Sequence, residues 1–331
     1  MIEDLRLTDI EETRALIAPY VARTPVHDWR GREIDSRLAP GTRVNLKLEL
    51  FQHSGTFKPR GALSVMLRLT DAQRRNGVTA VSAGNHAIAT AYAASRLGIS
   101  AKVVMLPTAN LARQARCRAY GAEVIIAENG KAAFELAETL ARDEGRSFIH
   151  PFEGPLTALG TATLGLEWMA QTDDLDAVII PIGGGGLCAG VASAVKLINP
   201  DCRVYGVEPV GADSMHQSIA LGRPVEQATV STIADSLGPP FALPYSFELC
   251  RRHVDRFVKV DDDQIREAMA LLAREMKLIA EPAGATATAA LLGPLREELA
   301  GRRTGVLVCG SNIDIGGFAS MIDRAQQRAV L

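Results

Sequence analysis

Lys58 stands in the run Gln52-His53-Ser54-Gly55-Thr56-Phe57-Lys58-Pro59-Arg60-Gly61-Ala62. A strand-like segment at 44–49 precedes it and an apolar helical segment at 62–69 follows. A lysine at such a strand-to-helix turn can be held in a cleft. Desolvation there lowers its pKa and turns the amine into a usable nucleophile or base. The same residues also suit a plain structural turn, so the other motifs decide between the two.

The second motif is Ile179-Ile180-Pro181-Ile182-Gly183-Gly184-Gly185-Gly186-Leu187, a buried strand running through four glycines into a helix. Unpaired N–H groups and the helix dipole at such a start favour an anion such as phosphate, and glycine allows close approach of the backbone. The third, Ser82-Ala83-Gly84-Asn85-His86, again joins a strand to a helix and suits a carboxylate. Asn85 offers both a donor and an acceptor. His86 reads first as a helix-start residue with a satisfied side chain and second as a proton carrier. Cys309, in Val308-Cys309-Gly310-Ser311-Asn312, reads as a buried thiol at a strand end. A rival reading uses Gly184-x-Gly186-x-x-Ala189 as a dinucleotide fingerprint, with Glu208 as the ribose-binding acid of a NAD-dependent oxidoreductase. That reading puts the fingerprint in mid-chain and leaves Lys58 without a role.

Positioning these motifs requires strands that end in loops at one edge. Strand-like runs at 78–82, 101–106, 123–127, 176–182, 204–207 and 305–309 alternate with helical runs at 87–97, 111–120, 131–143 and 187–198. The strands are apolar on both sides, as parallel strands covered on both faces must be. The expected fold is α/β, with two open doubly wound sheets. A small lobe, residues 77–150, is expected inside a large one made of 1–76 and 151–331, with Pro151-Phe152-Glu153-Gly154-Pro155 as the crossing.

The 331 residues, 47% apolar and 22% charged, suit a packed globular chain. A net charge of −2 gives no basic footprint for nucleic acid. The acidic N-terminus does not read as a secretory signal, and no apolar run reaches the roughly 20 residues that span a bilayer. Five scattered cysteines without a Cys-x-x-Cys pair read as free thiols in a reducing cytoplasm.

Taken together and in this order, the motifs resemble those of the fold-type II pyridoxal 5'-phosphate (PLP) enzymes of the serine/threonine dehydratase–serine racemase family. Ala280-Glu281-Pro282-Ala283-Gly284 and Thr232-Ile233-Ala234-Asp235 add to the likeness, which covers nearly the whole chain. The resemblance implies that Lys58 holds PLP as a Schiff base and later removes the substrate Cα proton. It implies that Phe57 lines the ring and that Gly183, Gly184, Gly185, Gly186 and Leu187 cradle the phosphate. Asn85 would contact the 3-hydroxyl, Glu281 would lie near the ring, and Cys309 would face the ring nitrogen. Ser82, Ala83, Gly84, Asn85 and His86 would hold the substrate carboxylate, while Asp235 and Ser236 face its β substituent. The implied activity is ammonia-lyase chemistry on a β-hydroxy L-amino acid, L-threonine or L-serine first, with 3-hydroxyaspartate and phenylserine as alternatives. A homodimer is expected, without isoleucine feedback.

Three positions depart from the family pattern. Ser214 stands where metal-bearing relatives carry an Asp, beside Glu208 and the Ala212 carbonyl, so a site for Mg2+ is weakened, takes a monovalent cation or stays empty. Ser236 replaces a usual Gly in the loop facing the β substituent. Ala83 replaces the second serine that serves the opposite face of Cα in serine racemases, so elimination without racemisation is expected.

Overall fold

The computed structural model describes residues 2–82, 84–107 and 109–329, with side chains as far as Asp323. Ala83 therefore lies outside the described residues. Among the described residues ten strands form two sheets: β1 Val26–Trp29, β2 Arg43–Lys47, β3 Val78–Val81, β4 Ala101–Met105, β5 Glu123–Ile126, β6 Ser147–Phe148, β7 Ala177–Pro181, β8 Arg203–Pro209, β9 Arg256–Val260 and β10 Arg303–Leu307. The larger sheet has the order β1-β2-β10-β7-β8-β9 and is parallel except for its edge strand β1. The smaller has the order β5-β4-β3-β6 and is parallel throughout. Both are open sheets with helices on their two faces, the doubly wound α/β architecture expected from the sequence.

Alternation along each strand sends side chains to opposite faces. On β7, Ile179 joins one apolar core, with the helices Asp262–Met276 and Pro282–Leu292. Val178 and Ile180 join another, with the helices Pro155–Met169 and Gly186–Ile198. Each such fully buried aliphatic side chain contributes about 1.5–3 kcal/mol. In the small sheet, Val103 faces the helix Asn85–Leu97 while Val104 faces Ala133, Ala137 and Leu140 of the helix Gly130–Asp143. Leu63 and Met66 of the helix Lys58–Met66 also join the small sheet's core. The segment carrying Lys58 is thus packed against the small sheet while its preceding strand, β2, belongs to the large one.

Three strands are not anticipated by the apolar runs. β1 and β9 are interrupted by polar or charged residues, His27, Asp28, Arg256 and Lys259. β6 has only two residues. Periodicity is too weak in segments of that length and composition.

Candidate active site

The motif loops meet at the carboxyl edges of both sheets around a cavity of about 540 Å³, a volume suited to a small ligand or cofactor. Lys58 opens its helix, with Pro59 in the first turn where a missing N–H costs nothing. The chain enters through a tight turn in which Ser54 takes φ 69° and ψ 2°. A non-glycine residue there costs about 1–2 kcal/mol. Asn312 offsets that cost by donating from Nδ2 to the Ser54 carbonyl at 2.8 Å.

Two residues beyond Lys58, the fully buried Arg60 anchors the helix. Its guanidinium donates to both oxygens of Glu49, at 2.6 and 3.1 Å, and to Glu167 at 3.0 Å. Lys47 completes the group with a 2.6 Å contact to Glu167. Two cations and two carboxylates balance inside the protein. Breaking such a buried set by removing one partner costs about 3–5 kcal/mol.

Lys58 Nζ donates to the Pro151 carbonyl at 2.6 Å and lies 5.0 Å from the Phe57 ring centre. Burial lowers its pKa to about 8, partly opposed by Cys309 and Glu281. The Cys309 thiol lines the same cavity and donates weakly to the Ala283 carbonyl at 3.5 Å. Burial pushes its pKa upward, so it is neutral at physiological pH.

The glycine run forms the cavity's second wall. The helix Gly186–Ile198 starts there without a side-chain cap, and Gly185, at φ 95°, takes a conformation open to glycine. Two of the glycines have a reason that is not a ligand. A Cβ on Gly184 would lie 2.3 Å from the Phe152 ring, and one on Gly186 would lie 2.2 Å from the Phe152 carbonyl oxygen. The crossing segment therefore packs directly on the loop.

Opposite, the helix Asn85–Leu97 begins at the Ser82–Gly84–His86 loop. Asn85 Nδ2 donates to Glu281 Oε1 at 2.6 Å and to Ser236 Oγ at 3.0 Å, while its Oδ1 accepts from Asn312 Nδ2 at 2.8 Å. His86 donates from Nε2 to the Ile149 carbonyl at 2.7 Å, and burial, with the Lys58 charge adding to it, lowers its pKa to about 3. It is a neutral ring with that proton engaged, in line with the satisfied helix-start reading. Glu281 is buried beside the cavity. Its Oε2 accepts no hydrogen bond, Arg113 stands 3.7 Å away, and burial raises its pKa to about 7.

Every expected cofactor- or substrate-facing residue within the described residues borders this cavity, including Leu187, Asp235 and Ser236. Sequence reading did not single out Pro151 and Phe152 as site residues, although both lie in the expected crossing. It also passed over Arg113, which pairs with Asp235 at 2.6 Å and donates to the Asn312 carbonyl at 3.0 and 3.1 Å. One arginine in a helix with several others carries no distinguishing signal.

Glu208 lies elsewhere. Its two oxygens accept the N–H groups of Met215 and His216, at 2.9 and 2.7 Å, at the start of the helix Ser214–Leu221. A carboxylate so placed does not face the cavity as a ribose-binding acid would, which removes a support of the dinucleotide reading. Asp213 is paired with Lys259 at 2.9 Å, and Ser214 Oγ is 3.5 Å from the Pro239 carbonyl. Among the described residues, no group of three or more His, Cys, Asp or Glu could hold a metal ion.

Residues 17–310 match the family described as pyridoxal-phosphate dependent enzyme. The chain is 58% identical over 313 residues to the phenylserine dehydratase of Ralstonia pickettii, covering 95% of each chain. It superposes on maize serine racemase with a TM-score of 0.91 and 34% identity, covering 99% of this chain and 100% of that one. The serine racemase of Dictyostelium discoideum gives a TM-score of 0.86 and 31% identity, covering 94% and 99%.

Proposed function

The chain belongs to the pyridoxal-phosphate dependent enzymes, in their serine/threonine dehydratase group, and from that premise we propose that it is an ammonia-lyase converting a β-hydroxy L-amino acid to a 2-oxo acid and ammonia. The observation that carries the proposal is the buried amine of Lys58, with its lowered pKa, on the cavity wall. The cavity suits PLP on three counts. It offers that amine, an uncapped helix start at Gly185–Gly186 for the phosphate, and a buried carboxyl oxygen on Glu281 that accepts no hydrogen bond.

In this reading Lys58 holds PLP and residues 183–187 hold its phosphate. Phe57, Asn85, Glu281 and Cys309 surround its ring. When bound, PLP supplies the electron sink that weakens the substrate Cα–H bond. Ser82, Gly84 and His86 hold the substrate carboxylate. Lys58 Nζ, freed when the substrate amine takes its place, would remove the Cα proton, a role matched to a pKa near the working pH. The Cβ–O bond would then break as the hydroxyl takes up the proton that Lys58 removed and leaves as water, and hydrolysis of the released unsaturated amine by one water would give the 2-oxo acid and ammonia. The neutral Cys309 thiol would not hold a ring nitrogen protonated, so bound PLP would be a weaker electron sink than beside a carboxylate.

For the β substituent, the phenylserine dehydratase relative and the cavity's aromatic lining favour an aryl group. L-threonine and L-serine fit the same chemistry as smaller substrates. 3-Hydroxyaspartate is disfavoured, because the cavity's Arg113 is already paired with Asp235. A cation at Glu208, Ala212 and Ser214 would be weakly held and monovalent, since the Glu208 oxygens already serve two N–H groups. The homodimer is proposed on the family likeness, and sedimentation velocity tests it.

The deciding experiment is borohydride reduction of the yellow protein followed by peptide mapping, with a substrate panel read by 2-oxo-acid release. PLP fixed on Lys58 and 2-oxo acid from a β-hydroxy L-amino acid are expected. A colourless protein that oxidises a hydroxy acid with NAD overturns the proposal.

A further inference from the structure

Three phenylalanines, Phe134, Phe152 and Phe241, line the cavity yet belong to none of the four apolar cores. Phe152 has a structural reason, since it lies on Gly184 and stacks edge-on with His150 at 4.8 Å. Phe134 and Phe241 have no such reason. The helix Gly130–Asp143 turns Ala133, Ala137 and Leu140 into the core beneath the small sheet. Phe134 follows Ala133 by one residue, about 100° around the helix. It stands 39% exposed at the cavity. Phe241 ends the segment Pro239-Pro240-Phe241, whose two prolines restrict the backbone. Its position is pinned by an antiparallel bridge to Glu226, and its ring centre lies 6.1 Å from that of Phe152.

The two residues reach the cavity from different parts of the fold. Phe134 comes from the unit of the four-stranded sheet, and Phe241 from a connection between strands of the six-stranded sheet. Besides Lys58, the cations lining the cavity offer little to a polar substituent. Arg113 is paired with Asp235, and Lys131 is largely exposed beside Glu135. Partly exposed aromatic surface that no core uses, bordering one cavity from two parts of the fold, is suited to a flat apolar group that it can stack against.

We propose that Phe134 and Phe241 form a two-sided clamp for the substrate's β substituent and make the site selective for β-aryl over β-methyl or unsubstituted amino acids. The proposal rests on the lyase reading for its substrate but not for its test. L-Phenylalanine and L-alanine carry the same α-amino acid and no β leaving group. Their binding to the holoenzyme can be followed by the cofactor's absorbance, without turnover. The wild-type protein is expected to bind L-phenylalanine more tightly than L-alanine. Phe134→Ala and Phe241→Ala should each weaken L-phenylalanine binding by about 5- to 50-fold and leave L-alanine binding unchanged. Phe134→Leu should fall between.

The ratio of kcat/KM for phenylserine to that for L-serine should drop in the same variants by a similar factor. Phe134 lies outside the cores, so matched melting temperatures are expected and serve as the folding control. Equal weakening of both ligands, or a wild-type protein that does not prefer L-phenylalanine, overturns the clamp. If no β-hydroxy amino acid yields a 2-oxo acid, the lyase reading fails while the binding comparison still decides the clamp.

Discussion

The ring of Phe152 occupies the space that a side chain at Gly184 would need, with its Cγ 2.3 Å from the ideal Cβ position. The crossing segment and the glycine loop are therefore one packed unit. Gly184→Ala must displace the ring and, with it, the Pro151 carbonyl that accepts from Lys58. Overpacking of this kind costs about 1–3 kcal/mol. A lower melting temperature and weaker PLP retention are expected, measured by thermal unfolding and by the ratio of cofactor to protein absorbance. Phe152→Leu in the same chain should restore part of both. Unchanged retention in Gly184→Ala would contradict the packing argument.

Lys58→Ala should lose the borohydride-fixed cofactor and turnover together. Loss of a general base alone costs about 10²–10⁴ in rate, and loss of the attachment adds to it. Lys58→Arg keeps the charge but has no accessible neutral form, so it should be equally inactive. Turnover by Lys58→Arg above one hundredth of wild type would show that another group takes the proton.

Asp235 holds Arg113 at the cavity at 2.6 Å, with 59% of its own side chain exposed. Asp235→Asn should free the guanidinium for a second carboxylate on the substrate. The relative kcat/KM for 3-hydroxyaspartate is expected to rise by about 2- to 5-fold, the range of a partly exposed ion pair, while phenylserine turnover changes less. The gain should shrink in high salt. A fall for both substrates would mean that the pair is needed to shape the site.

His86 and His150 are buried with pKa values lowered to about 3 and 4. His150 Nδ1 accepts the N–H groups of Phe152 and Glu153, at 3.2 and 2.9 Å, which requires a neutral ring. Both histidines protonate in the unfolded chain near pH 6.5 but stay neutral in the folded protein until well below it. Their contribution to stability is full above pH 6.5 and is lost as pH falls towards 4. The expected slope is about 1.4 kcal/mol per pH unit for each ring over that interval. Urea unfolding at pH 7, 6 and 5 measures it. His150→Asn keeps an acceptor and removes one titration, so its slope should be shallower.

The sequence by itself determined where the motifs of the candidate site lie along the chain. Lysine after a tight turn, glycines between strand and helix, and Ser-x-Gly-Asn-His at a helix start are local arrangements of backbone and side chain. Local residues suffice to specify them, and the alternating apolar runs place them all at strand ends. What brings them together is not local. Lys58 meets the Pro151 carbonyl from 93 residues away, and Asn85 meets Glu281 from 196. Phe134, Phe152 and Phe241 look in the sequence like ordinary core residues, because an apolar side chain does not reveal what it packs against. Their absence from the four apolar cores and their place on the cavity wall were decided only when two sheets and their crossing segment closed around one cavity. The strand order and the antiparallel edge strand β1 likewise follow from tertiary pairing. Strands of four or five residues specify which face is buried but not which neighbour they will find.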